Sequence, residues 1–460
     1  MKLSIRLVTP ALLLASMTPV PAQNETRLGS DFRREGEELK HNCSTFKSFF
    51  GCAQTLFTGK PLHIAAGSIA PGNGVGVGGA FVFENNLPAW RLNTNADAVG
   101  SFNGSWRAGL YVKAVKTPTR PDIGVITQPP PAGAAPILQP RPSPELNFYL
   151  QGISLAKVGY YGLGQLTSRN SLALFSMRET IAGVNAAYPL FGASGLALFG
   201  ELNGRFVSIG GRTGDTAPSI GRLYNNLSAP GLADQPGFIQ FGEGVRFARA
   251  ISDRLRLRYS ALYEQFVAPA DSTYSFRRLS FDFSHEVPFY RNMSAGSAHP
   301  TGPDQSPPAL EQRRYMRNRE GSLTLEAMIT TSYTGDRSVV PFYFQPTLGG
   351  SDINGARGLP SYSDYRFRAP NLMLFRAAVE HSIWGPVGAA FGADFGRVAV
   401  TRGDLGFDHM RHSWAGGITI RAGGLPQVWL LFAWGGGEGS HTIAYIDPML
   451  LGGSMRPSLY

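Results

Sequence analysis

The sequence predicts an all-β fold, a closed antiparallel transmembrane β-barrel of about sixteen strands. Three observations carry that prediction. Apolar and polar residues alternate at period two over stretches of ten or more residues, longer than the strands of most soluble sheets. Charged residues make up only 16% of the 460-residue chain, while Gly (56) and Pro (33) are abundant and no long amphipathic helical pattern recurs. Ordinary hydropathy with few charges is what lipid-facing strands around a polar interior produce. Aromatic residues also gather at strand ends, as in Tyr160–Tyr161, Phe289–Tyr290 and Phe342–Tyr343–Phe344, where interfacial girdles would lie.

The chain starts with an export address. Lys2 and Arg6, an apolar run through Leu12, Leu13 and Leu14, and the small residues around Ala22 read as a signal peptide over 1–22. The apolar run is too short to span a bilayer as a helix. Cleavage would remove two cations and no acid, so the balance of a chain with net charge +10 stays basic. An exported basic protein meets anionic lipid head groups, so outer-membrane lipid is the expected partner and nucleic acid is not.

Residues 23–60 then form a short periplasmic segment. Within it Phe46, Phe49, Phe50, Ala53, Leu56 and Phe57 recur at helical spacing, with Ser44 and Thr45 placed to cap the helix. The two cysteines, Cys43 and Cys52, bracket this run. An unbroken helix would hold them beyond disulfide reach. Either Gly51 breaks it and they bond in an oxidising compartment, or they stay free.

The barrel is expected over 61–460. Its clearest strand is 254–264, where Leu255, Leu257, Tyr259, Ala261 and Tyr263 share one face. Arg254, Arg256 and Arg258 share the other, and Arg278 joins them from the next strand, where Leu279, Phe281 and Phe283 face outward. The same alternation marks strands at 62–70, 75–83, 88–101, 105–115, 145–161, 171–188, 195–209 and 237–250. It continues at 254–268, 273–288, 320–334, 371–384, 387–400, 414–422, 428–436 and 441–447. An even count suits a closed barrel. The uncharged stretch between Glu179 and Glu201 contains Pro189 and several glycines, so it reads as two strands and a turn rather than a helix. Long connections fall at 116–144, which is Pro-rich, and at 210–236, 289–319 and 335–370.

Chemical motifs are scarce. GVGVGG at 74–79 satisfies a dinucleotide fingerprint by spacing, but AFVFENN follows it where a helix would be needed. His409 and His412 form an H-x-x-H pair without a third metal ligand at a suitable spacing. No nucleophile elbow or phosphate loop is present, so the sequence supports neither an enzyme nor a cofactor or metal site.

The stretch LGGSDINGARGLPSYSDYRFRAPN at 348–371 is the most informative. It resembles the long sixth outer loop of the BamA-type superfamily of outer-membrane assembly and translocation barrels, also known as bacterial surface antigen proteins. The resemblance implies a loop folded back into the lumen, with Ala356–Arg357–Gly358–Leu359 standing at the family's loop tip. It also implies a lock between Arg357 and an inner-wall carboxylate. The family's F-x-D-x-G pattern survives as Gly392–Ala393–Asp394–Phe395–Gly396, and alternation independently turns Asp394 and Glu380 inward. A guanidinium fork suits such a carboxylate. Two departures stand out. Residues 23–60 are too few for one of the family's POTRA domains, and Pro448 interrupts the last strand, with further residues after it.

The resemblance implies insertion or translocation of unfolded outer-membrane or secreted polypeptides, by a monomer that performs no chemistry. Two other readings stay open: a passive, anion-favouring pore lined by Arg254, Arg256, Arg258 and Arg278, and a structural surface antigen.

Overall fold

The computed structural model describes residues 26–43, 56, 60–117, 125–126, 138–139, 143–191, 194–212, 217–252, 254–294, 315–422, 425–446 and 456–459. Sixteen strands form one antiparallel sheet in strict chain order. They are β1 Leu62–Ser68, β2 Val75–Asn86, β3 Trp90–Gly100, β4 Trp106–Lys116, β5 Glu145–Tyr160, β6 Ala173–Pro189, β7 Leu196–Gly211 and β8 Phe238–Ser252. The second half comprises β9 Leu255–Val267, β10 Phe276–Ser294, β11 Tyr315–Tyr333, β12 Asn371–Trp384, β13 Val387–Ala399, β14 Arg411–Ala422, β15 Leu425–Trp434 and β16 His441–Ile446. Every strand read from alternation is present, most with ends within three residues of those expected. The main departures are β10 and β11, which run to Ser294 and start at Tyr315, so the connection expected at 289–319 begins and ends inside strands. The Pro-rich connection carries a two-residue ladder, Val125–Ile126 with Leu138–Gln139.

Burial is inverted relative to a soluble sheet. Leu150, Phe206, Phe241, Phe391, Ile418 and Phe432 stand exposed on the outer face. Glu179, Asn203, Arg205, Gln240 and Arg278 are buried on the inner face. Period-two alternation makes both faces from the same strands. The core lies inside the sheet. Phe175, Phe238, Phe266 and Phe276 from its inner wall pack with Phe342, Tyr343 and Phe344 from the connection between β11 and β12. No helix among the described residues is long and apolar enough to cross a membrane.

The sheet is not closed by pairing among the described residues. β1 and β16 stand at its two ends and share no ladder. Both are short, seven and six residues, whereas β10 and β11 have nineteen each. Of the expected closed barrel, the described residues show the sixteen-stranded antiparallel sheet, without a ladder between its first and last strands. The connections at one end of those edge pairs nevertheless converge, through hydrogen bonds described below.

One long helix, α1 at Arg27–Asn42, precedes the sheet. Thr26 caps it by accepting from the Gly29 amide, and Lys40 and His41 lie in the last turn, where they favour the helix dipole. Leu28, Phe32, Glu35 and Leu39 form one stripe at i, i+4, i+7 and i+11. Glu35 is buried and its Oε2 accepts from the Leu62 amide at 3.1 Å. Because Pro61 O accepts from Val82 N, the Leu62 N–H points away from β2, along the free edge. Phe32 packs near Phe81 with ring centroids 6.5 Å apart. The helix expected around 46–57 lies almost wholly outside the described residues. Cys43 is disulfide-bonded, and Cys52 and Gly51 lie outside the described residues.

Candidate functional site

The connection between β11 and β12 is buried against the inner wall, and its architecture follows from its turn residues. Gly349 and Gly350 pair with Gly358 and Leu359 through three backbone hydrogen bonds, and Asp352 N donates to Ala356 O at 2.8 Å. These bonds build a hairpin whose tip is Asn354–Gly355, with Gly355 at φ 83°. Asn-Gly is a strong turn signal, since both residues tolerate left-handed backbone. Asp352 Oδ1 accepts from Ala356 N and Asp364 Oδ1 from Ser351 N, fixing the hairpin to its own return segment. The tip thus lies upstream of the expected Ala356–Leu359, which forms the returning arm.

Asp394 lies where alternation placed it, buried on the inner face of β13. Its two oxygens are held by three donors. The Leu359 amide reaches Oδ2 at 2.9 Å, Arg376 Nε reaches Oδ1 at 3.0 Å, and Arg376 Nη2 reaches Oδ2 at 3.3 Å. Arg376 is directly opposite Asp394 across the β12–β13 ladder, and Glu326 is opposite Arg376 on β11. Arg376 Nη1 donates to Glu326 at 3.1 Å, and Nη2 donates to the carbonyl of Arg357. The expected Arg357–Asp394 fork is therefore corrected: the guanidinium on Asp394 belongs to Arg376, and Arg357 contributes its backbone oxygen. Cross-strand register explains the exchange, since directly opposed side chains are close neighbours without any loop having to place them.

The two glycines of the predicted lock have a packing role. A Cβ on Gly358 would meet Leu348 at 3.0 Å and Leu374 at 3.2 Å; one on Gly396 would meet the same leucines at 2.9 and 3.3 Å. Both glycines let the returning arm and the wall close on the Leu348–Leu374 pair. Glu380, expected to brace the loop, instead binds the wall, accepting from Arg421 Nη1 and from Thr419 Oγ1 at 3.0 Å on β14.

The basic face also differs from the expectation. Arg254 and Arg258 are exposed, Arg256 donates to Tyr290 Oη at 3.0 Å, and Glu286 stands opposite Arg256 in the ladder. Arg278 is fully buried over the rings of Phe266 and Phe276 and donates to the Phe344 carbonyl, so it holds the loop rather than lining an open channel. Glu264 lies opposite Arg278 and Asp282 lies on the same inner face, which makes that face mixed rather than basic. His409 offers its carbonyl to Gln165, and no metal-holding group of His, Cys, Asp or Glu occurs among the described residues.

Sequence reasoning missed the residues that tie this loop to the rest of the molecule. Arg366, 2% exposed, donates from Nε and Nη2 to Glu438 at 2.7–3.0 Å and from Nη1 and Nη2 to Thr167 at 2.8 and 2.6 Å. Tyr365 Oη donates to Pro71 O at 2.9 Å, Ser361 N donates to Ser413 Oγ at 2.8 Å, and Gly164 N donates to Arg368 O at 2.7 Å. Adjacent loop residues therefore touch the connection after β1 and the connection before β16. The Y-R-F-R cluster at 365–368 was the available signal, since arginines in an apolar, aromatic setting need partners when buried. Burial raises the Asp364 carboxyl above its ordinary value, opposed by the Ser351 amide.

A cavity of about 470 Å³ lies between the hairpin arm and the last strands. Arg357, Arg376, Glu380 and Asp394 line one side, and Trp429, Leu431 and Ile443 of β15 and β16 line the other.

Some solved structures are similar to this one in part. BamA from Haemophilus ducreyi lacking POTRA domains 1–3 matches with a TM-score of 0.45 at 11% identity, over 85% of this chain and 68% of that one. CdiB from Acinetobacter baumannii matches with 0.42 at 10% identity, over 80% and 55%. CdiB from Escherichia coli matches with 0.45 at 11% identity, over 84% and 61%. The chain spans less than two thirds of either CdiB chain. No family profile and no curated protein matches the sequence.

Proposed function

We propose that this protein is a bacterial outer-membrane barrel that helps polypeptides insert into or cross that membrane, and that it does so as a monomer without a chemical step. One observation carries the reading: a loop is bonded to the inner wall, while the two edge strands are short and, among the described residues, share no ladder with each other. A loop held there is poorly suited to passive flow. An unpaired edge offers backbone N–H and C=O groups that an incoming strand can use, and in lipid those groups gain most by being paired. The outward apolar face supports placement in a bilayer. Closure is completed in this reading by a weak seam between β1 and β16, whose neighbouring connections Tyr365 and Arg366 already draw together. The cavity beside β15 and β16 leaves room next to that seam.

The Arg376–Asp394 bracing keeps the loop against the wall that must stay rigid while the seam opens. The test uses a small urea-unfolded β-barrel protein refolding into three liposome preparations: empty, carrying this protein, and carrying Arg376→Gln. Faster folding with the intact protein and a loss of most of that gain in the variant is the expected result. No acceleration, in vesicles where the barrel is demonstrably folded, overturns the assembly reading for that client. The mixed charge of the interior and the burial of Arg278 leave the anion-pore reading without a supporting observation.

A further inference from the structure

Residues Arg456–Leu459 lie in the interior, bonded to three separate parts of the molecule. Arg456 Nη2 donates to Asp97 Oδ2 on β3 at 3.3 Å. The Ser458 carbonyl accepts from Arg205 Nη2 on β7 at 2.8 Å. The Leu459 amide donates to Asn354 Oδ1 at the hairpin tip at 2.7 Å, and Asn354 Nδ2 donates to Ser458 Oγ at 3.3 Å. The Leu459 side chain is 5% exposed and belongs to the cluster that includes Phe238, Phe344, Ile353 and Tyr365.

The receiving groups are built in advance. Arg205 is 1% exposed, and its other nitrogens are committed to Gln240 Oε1 at 2.5 Å and Glu179 Oε1 at 2.8 Å, which aims Nη2 inward. Gln240 is itself held by Glu264, at 2.6 Å. A buried guanidinium so fixed presents one N–H at a set position, with little rotamer freedom left to lose on binding. Two of the four contacts go to backbone atoms of the bound segment, a carbonyl and an amide. The other recognition elements are a cation at Asp97 and one branched apolar side chain.

We propose that Arg205, Asn354 and Asp97 with the adjoining apolar cluster form an interior binding site for an extended peptide, occupied in cis by Arg456–Leu459. The ligand class is an unfolded segment carrying a basic residue and, three positions on, an aliphatic one. Recognition half through backbone makes the site tolerant of sequence, and its cis occupant must leave before another segment enters. Because Asn354 is the tip of the inner hairpin, occupancy also clips that hairpin to β7. This goes beyond the assembly reading and does not rest on it, since a barrel can bind a peptide and fold no client.

The experiment compares intact protein with a variant lacking residues 455–460, both folded in detergent micelles as verified by heat-modifiable gel mobility. The probe is the fluorescein-labelled hexapeptide Met-Arg-Pro-Ser-Leu-Tyr, followed by anisotropy. A tethered occupant acts at an effective concentration on the order of millimolar, so intact protein should bind the probe at least roughly tenfold more weakly than the shortened one. Adding Asn354→Ala to the shortened protein should weaken binding several-fold, and a probe with Asp in place of Leu should bind weakly to every form. Folded shortened protein that binds no probe, or binds it no better than intact protein does, overturns the proposal.

Discussion

The guanidinium of Arg376 is the most consequential side chain in the inner wall, because three elements depend on it. It joins β11 to β13 through Glu326 and Asp394, and it holds the returning hairpin arm through the Arg357 carbonyl. Breaking a buried pair by removing one partner costs about 3–5 kcal/mol, mostly because the remaining charge is stranded. Arg376 is partly exposed, so Arg376→Met is expected to lower stability by less, about 1–3 kcal/mol, read as the urea midpoint of unfolding from micelles. Arg357→Ala keeps the carbonyl that Arg376 uses, so it should leave the Arg376–Asp394 pair intact. Both arginines were visible in the sequence, as was Asp394. Their pairing was not visible, because it depends on register and a one-residue slip would change every opposite neighbour.

At the scale of elements, α1 guards an edge. Glu35 supplies the acceptor that a neighbouring strand would otherwise give to the Leu62 amide. Burial raises the Glu35 carboxyl above its ordinary value, while the Leu62 amide pulls it down and Glu38 adds a smaller upward push. The folded value is thus above the unfolded one, so docking is strongest below the ordinary carboxylate range. It weakens as pH rises through the raised value. A Phe32→Trp reporter should shift its emission to the red as pH rises from the ordinary carboxylate range through the raised value and docking loosens. Adding Glu35→Gln should flatten that response, since the amide oxygen still accepts but no longer ionises. An unchanged response in the Gln variant would assign the pH dependence to another group. The stripe of Leu28, Phe32 and Leu39 was legible as helical periodicity, though the helix noticed in the sequence was a later one. Likewise the residue types of Asn354–Gly355 carried the hairpin turn openly.

For the molecule as a whole, the loop packed against the sheet sets the conductance expected of it. Intact protein in planar bilayers is expected to conduct weakly and without anion preference, because Glu264, Asp282 and Glu286 share the inner face with Arg256, Arg258 and Arg278. Arg366→Ala removes the bonds to Glu438 and Thr167 that close the loop over one end, and should raise conductance several-fold. A large anion-selective conductance from intact protein would instead favour the passive pore. The sequence by itself determined the sixteen strands, their order and which face of each turns outward. These follow from period-two alternation and turn residues, which act within a few positions of one another. Only the tertiary structure decided which arginine meets Asp394, that Arg278 is buried, that Arg366 links distant connections, and that residues 456–459 return to the interior. Those outcomes depend on how strands far apart in the chain are curved toward each other, and no local pattern encodes the distances that result.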